Sequence, residues 1–90
     1  MIDLMELLET AEEKIQEALK GTKNLYVDDV AWGHTGFRIP VMYEKVFMKV
    51  SEIDCFLFCL DDDCDDDSNM ERFQTELDEF VSRDWSKLDK

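Results

Sequence analysis

Between residues 3 and 20, "DLMELLETAEEKIQEALK", the apolar residues Leu4, Leu7, Leu8, Ala11, Ile15, Ala18 and Leu19 recur at helical spacing. Gly21 follows as a stop, so the pattern predicts a helix over 3–20. Its opposite face carries Glu6, Glu9, Glu13 and Glu17, with Asp3 and Glu12 beside them and only Lys14 and Lys20 in opposition. An acidic stripe of this kind is ordinarily the solvated side of an amphipathic helix.

From 25 to 60 the pattern changes to β-branched and aromatic residues separated by short polar breaks. "LYVDDVAW" (25–32) predicts a first strand, and "GHTG" (33–36) a turn whose two glycines supply the backbone freedom it needs. "FRIPVMYEKVFMKV" (37–50) predicts a longer extended segment. Pro40 cannot donate to a ladder, which places the early part of that segment at an edge or a bend. Apolar positions are odd through Phe37, Ile39, Val41 and Tyr43 but even at Val46, Met48 and Val50, which predicts a bulge or break near Glu44 and Lys45. "IDCFLFCL" (53–60) is apolar on both alternating faces, so both ask for cover. A simple meander leaves this last strand at an edge; a rearranged strand order or a second subunit would protect it.

After the run "DDDCDDD", the residues "SNME" have the form of a capping box, with Ser68 as N-cap and Glu71 three residues on. Met70, Phe73, Leu77, Phe80, Val81 and Trp85 then make an apolar stripe that predicts a helix over about 69–85. The terminal "SKLDK" is expected to fray. The order is α-β-β-β-α: an α+β fold with a three-stranded, mainly antiparallel sheet and the N- and C-terminal helices packed on one face.

Ninety residues suffice for one domain, here 1–90 with an acidic loop at 61–67, and 44% hydrophobic content with six Phe, two Trp and two Tyr separates the chain from disordered acidic sequences. The net charge is -13, of which residues 61–67 carry -6, whereas residues 21–50 sum to +1. A balance this acidic argues for a basic protein partner and against direct contact with nucleic acid or an anionic membrane. No secretory leader or membrane-length apolar run is apparent, which predicts a cytoplasmic protein. Three cysteines suit a reducing compartment, since Cys55 and Cys59 lie about 13 Å apart along one strand, beyond disulfide reach.

The aspartate run fits no standard chemistry. Aligned as an EF-hand loop from Asp61 it matches at Asp63 and Asp65, but its sixth position is Asp66 in place of Gly and its twelfth Arg72 in place of Glu. Zinc has only Cys64 with at most one strand cysteine, and His34 stands alone in a turn, so no metal or cofactor is expected. No phosphate loop, nucleophile elbow or Cys-His pair is present, and an enzyme is not expected. The macrodipole of the following helix favours one or two of the aspartates, not six.

Recognition of a basic surface remains. Extended at about 3.3 Å per residue, the run approaches the spacing of phosphates along one DNA strand, about 3.4 Å, and the helix glutamates would add a second row. Candidate binding residues are Asp61, Asp62, Asp63, Asp65, Asp66 and Asp67, supported by Glu6, Glu9, Glu13 and Glu17. Charge supplies steering more than affinity, so an aromatic anchor is also sought among Trp32, Phe37, Tyr43, Phe56 and Phe58, all of which double as core candidates.

In size and charge the chain resembles the broad class of small acidic nucleic-acid mimics and nuclease inhibitors, which includes phage anti-restriction and anti-CRISPR proteins and bacterial toxin immunity proteins. The likeness is compositional and assigns no residue. It implies an inhibitor that occupies the basic site of a nuclease or other nucleic-acid-handling protein. The alternatives are an immunity or antitoxin protein with a mixed apolar and acidic surface, and an acidic assembly subunit, a possible homodimer through the 53–60 strand.

Overall fold

The computed structural model describes residues 2–47 and 49–89. Its elements are α1 (Leu4–Ala18), β1 (Leu25–Val27), β2 (Ala31–Trp32), β3 (Gly36–Tyr43), β4 (Ser51–Cys59), α2 (Asp66–Val81) and α3 (Trp85–Leu88). The fold is α+β, with an antiparallel sheet backed by helices.

β3 is the central strand. It pairs along its whole length with β4, from Gly36 opposite Cys59 to Tyr43 opposite Ser51. On its other side it pairs first with β2 and then with β1, so four strands occupy three tracks. The expected single strand over 25–32 is therefore broken at residues 28–30. Pro40 explains the break. In antiparallel pairing successive residues turn their backbone groups to opposite neighbours, and the even positions of β3 face β1 and β2. Pro40 has no N–H to offer there, and only its carbonyl is used, accepting from Asp28 N at 3.1 Å. The proline thus lies in the central strand, not at an edge, and is tolerated because the ladder opposite it is interrupted.

The second segment ends at Tyr43, so the expected break near Glu44 and Lys45 is the end of β3; residues 44–50 connect the hairpin, and Met48 lies outside the described residues. A bulge does occur, but elsewhere. The register passes from Val41 opposite Asp54 to Met42 opposite Glu52, leaving Ile53 of β4 as the extra residue.

Phe37, Ile39, Val41, Phe56 and Phe58 point from β3 and β4 to the helical side and are buried. Leu7, Leu8, Ala11 and Ile15 of α1 and Phe73, Leu77 and Phe80 of α2 close over them. Ring contacts run from Phe37 to Phe58 (6.2 Å), Phe58 to Phe73 (5.1 Å), Phe56 to Phe80 (5.5 Å) and Phe80 to Trp85 (5.1 Å), tying sheet to α2 and α3. Among the described residues no helix covers the other face of the sheet, and Leu57 on β4 is 61% exposed there.

Of the terminal residues expected to fray, 86–88 continue α3 and Asp89 is tied down, while Lys90 lies outside the described residues. Trp85 is buried at the start of α3, and the Asp89 carboxylate accepts from the backbone N–H groups of Lys23 and Asn24 at 2.6 and 2.8 Å. Those donors, Lys23 first, hold the Asp89 carboxyl below its ordinary range.

Gly36 sets how closely β3 and β4 approach. A Cβ there would lie 2.1 Å from the Phe58 carbonyl oxygen and 2.7 Å from the Cys59 Cα, which is backbone and cannot swing aside. Gly36→Ala is expected to destabilise the protein by about 1–3 kcal/mol, the range for overpacking a tight contact. Urea denaturation checks it, with Gly33→Ala as the control because a Cβ there would lie 3.8 Å from the Gly36 carbonyl oxygen, an ordinary contact.

Candidate acidic recognition surface

The aspartate run is folded, not extended. Asp61 opens a turn in which its carboxylate accepts from Asp63 N (2.9 Å) and its carbonyl from Cys64 N (3.1 Å). Asp65 then caps α2 through its carboxylate, which accepts from Ser68 N at 2.8 Å. The N-cap is therefore Asp65 and not Ser68. Both residue types cap well, and starting the helix three residues earlier brings Asp66 and Asp67 into its first turn, where the macrodipole favours carboxylates. The Ser68 backbone N–H is the first cause that holds the Asp65 carboxyl below its ordinary range.

One buried side chain organises this turn. Asn69, 4% exposed, accepts from Asp61 N (3.0 Å) and donates to the carbonyls of Asp61 (3.2 Å) and Cys64 (3.4 Å). Arg72 Nη2 donates to the same Asn69 oxygen at 3.0 Å and also to the Cys59 carbonyl, while Nη1 lies 3.6 Å from Glu76. Its guanidinium covers the Phe58 ring at 4.8 Å. The run is clamped onto the end of β4 and the start of α2, and the row of charges at about 3.3 Å per residue that an extended chain would give does not form.

α1 and α2 run in the same direction. Glu6, Glu9 and Glu13 line a groove of about 350 Å³ whose other wall is Met70, Phe73 and Gln74, and further along Lys14 lies 3.8 Å from Asp78. Leu60 shares a surface depression with Ile2, Asp3 and Leu4. The N-termini of both long helices therefore sit at one end of the molecule with the aspartate run. Asp3, Glu6, Glu9, Asp61, Asp62, Asp63, Asp65, Asp66, Asp67 and Glu71 are all exposed at that end. Glu13 is one turn further along, and Glu17 is not gathered in; it pairs with Lys20 at 2.9 Å toward the other end of α1. Lys20, Lys23, Arg83 and Lys87 belong to that second end, as do Lys45 and Lys49, which lie between Tyr43 and Ser51, the paired ends of β3 and β4.

Among the described residues no three His, Cys, Asp or Glu side chains converge as metal ligands. The three cysteines are free. No helix among the described residues is long and apolar enough to cross a membrane.

Of the five aromatic anchors considered, Phe37, Phe56 and Phe58 are core residues and Tyr43 is half-buried. Trp32 alone stays accessible, 49% exposed, with one edge against Phe37 at 6.0 Å. It is carried to the acidic end by the β2–β3 turn, which Leu60 N–H fastens through the Thr35 carbonyl at 2.8 Å. The same turn holds His34, exposed. Sequence reasoning passes over Asn69 and Arg72, because an asparagine and an arginine early in a helix read as surface residues. The one available signal is that Asn69 follows the six-aspartate run with only Ser68 between, and that run must be held together. Sequence reasoning also passes over Val46 and Phe47, which read as strand but stand exposed at the hairpin tip, Phe47 with a positive φ of 68°.

Comparison of the chain with protein-family models, with curated proteins and with solved structures gives no match.

Two outcomes are expected. Asn69→Ala strands the Asp61 N–H and should cost about 1–3 kcal/mol, with faster hydrogen exchange at Asp61 and Cys64 than in α1. For Asp65 the folded-state pKa is depressed. Its capping contribution is thus fully present above the unfolded carboxyl value and is lost as pH falls through the folded one. Asp65→Asn keeps an acceptor at every pH, so the difference in thermal midpoint between wild type and this variant should shift in the variant's favour below about pH 4.

Proposed function

We propose that the protein is an inhibitor that presents nucleic-acid-like charge and occupies the basic cleft of a nuclease or other nucleic-acid-handling protein in the cytoplasm. The observation that carries this reading is the one-ended distribution of charge. The exposed carboxylates at the acidic end surround one guanidinium, Arg72, whose donors are already engaged by Cys59, Asn69 and Glu76. The caps and first turns of the two helices account for only part of that concentration, and repulsion among the carboxylates opposes the rest.

A basic cleft that holds a duplex would receive this surface on two fronts. The turn at 61–65 presents clustered carboxylates, and α1 presents a row at about 5–6 Å spacing beside the groove. Binding releases the counterions condensed around both partners, as phosphate would, and no bond to the inhibitor is broken. Trp32 supplies apolar contact at the same end, the part of affinity that charge alone does not provide.

A second reading, an immunity or antitoxin protein with one cognate toxin, draws support from Val46 and Phe47. Both are exposed on the hairpin tip, beside Lys45 and Lys49 and at the far end from the aspartates. A partner gripped there would be held by an aromatic anchor with little dependence on salt.

The wild-type protein, immobilised, is expected to retain a nucleic-acid enzyme from bacterial lysate that duplex DNA displaces. Its affinity should fall more than tenfold between about 50 and 200 mM salt. The variant with all six aspartates changed to asparagine should retain nothing while remaining folded, with the near-ultraviolet spectrum of wild type. Trp32→Ala should weaken binding about tenfold at unchanged salt slope. A six-asparagine variant that captures and inhibits as wild type does would sink the mimic reading, and loss on Phe47→Ala with a flat salt response would establish the second.

A further inference from the structure

The sheet has two edges, and they are built differently. The β1–β2 edge is broken at residues 28–30 and carries Asp28 and Asp29 there, features that discourage a further strand. β4 guards only its first half, with Glu52, the extra residue Ile53, and Asp54 paired to Arg83. Residues 55–59 carry no charge, no proline and no bulge, and the described strands pair with them on the β3 side alone.

Those five residues read Cys-Phe-Leu-Phe-Cys, the same in both directions about Leu57. Backbone phase matches that symmetry. Leu60 N–H bonds the Thr35 carbonyl, so even positions of β4 face β3 and Cys55, Leu57 and Cys59 turn their N–H and C=O outward. The Arg72 bond to the Cys59 carbonyl, made from outside the sheet, agrees with this. We propose that β4 pairs with β4 of a second copy of this chain, antiparallel about a two-fold axis at Leu57, to make one sheet continuous across a homodimer.

In this register Leu57 lies opposite the partner's Leu57 and Cys55 opposite the partner's Cys59. Cys55 N–H is occupied by the Asp54 carboxylate at 2.8 Å, and the Cys59 carbonyl by Arg72. The reciprocal bonds between the two Leu57 residues and from each Cys59 N–H to the opposing Cys55 carbonyl are open, four in all by symmetry. The apolar side chains Leu57, Cys55 and Cys59 share the uncovered face, Cys55 beside Arg38 and Cys59 over Gly36. Charge selects a second copy. Antiparallel pairing carries the segment 44–50, net +1 with Lys45 and Lys49, around to the end where the partner's residues 61–67 hold -6. Like ends are kept apart.

This inference stands apart from the inhibitor reading, because it concerns the purified chain with no other partner. The test is sedimentation together with thiol cross-linking in a Cys64→Ser background. Wild type should sediment as a dimer that dissociates on dilution from about 500 μM. Leu57→Lys, which sets two ammonium groups face to face at the axis, should sediment as a folded monomer with an unchanged near-ultraviolet spectrum. A short bismaleimide should link Cys55 to Cys59 of the other copy. Cys55→Ser or Cys59→Ser alone should give no link, since the remaining thiols lie roughly 13 Å apart along the strands. Mixing the two variants should restore it. A monomer at every concentration, a dimer indifferent to Leu57→Lys, or a link within either unmixed variant overturns the proposal.

Discussion

The edge-to-face contact of Phe73 with Phe58, with Phe37 and Phe56 beside them, is the contact on which the rest of the molecule depends. It fixes α2 against β4 near the helix's first turns, and so fixes where the chain between them must pass. That chain is the aspartate run. With α2 held, Asn69 stands beneath the turn and can satisfy Asp61 and Cys64 at once, and Arg72 can lie over Phe58 while reaching the end of β4. A charge cluster that would otherwise expand is held by apolar packing and by the hydrogen bonds of Asn69 and Arg72, which added salt screens less than it screens pairs of exposed charges.

The same packing makes the two long helices run side by side in one direction. Parallel helices bring two positive dipole ends to the same place, and that is where the carboxylates have collected. The dipoles account for Asp3, Asp65, Asp66 and Asp67, residues at caps and first turns. They favour Glu6, in the first turn of α1, in the same way, but do not account for Asp61, Asp62, Asp63, Glu9 or Glu13, and this surplus is what makes a binding role the better reading of the surface.

Much of the fold was legible because periodicity follows from burial. The apolar stripe of α1 at Leu7, Leu8, Ala11, Ile15 and Leu19, the alternation of Phe37, Ile39 and Val41, and the stripe of Phe73, Leu77 and Phe80 all correspond to buried residues, with Leu4 and Ala18 half-buried beside them. What was illegible depended on partners distant in sequence. The break at 28–30 is explained by Pro40, and the bulge sits at Ile53 because β3 and β4 change register there. Asp65 displaced Ser68 as N-cap because both satisfy the same local rule, and only the placement of Asn69 under the turn decides between them. At the candidate surface the residue types were legible and their shape was not. The aspartates form a clamped turn and a helix start, Glu17 stands apart from Glu6 and Glu9, and of the aromatic candidates only Trp32 remains accessible.

The central claim is that the acidic end is a preformed binding surface. Hydrogen exchange of the protein alone and in complex with a captured basic partner tests it most directly. The account predicts slowed exchange at residues 61–67, in the first turns of α1 and in the turn that carries Trp32, with the hairpin tip unchanged. Protection confined to residues 44–50, with the aspartate run exchanging as in the free protein, would contradict it.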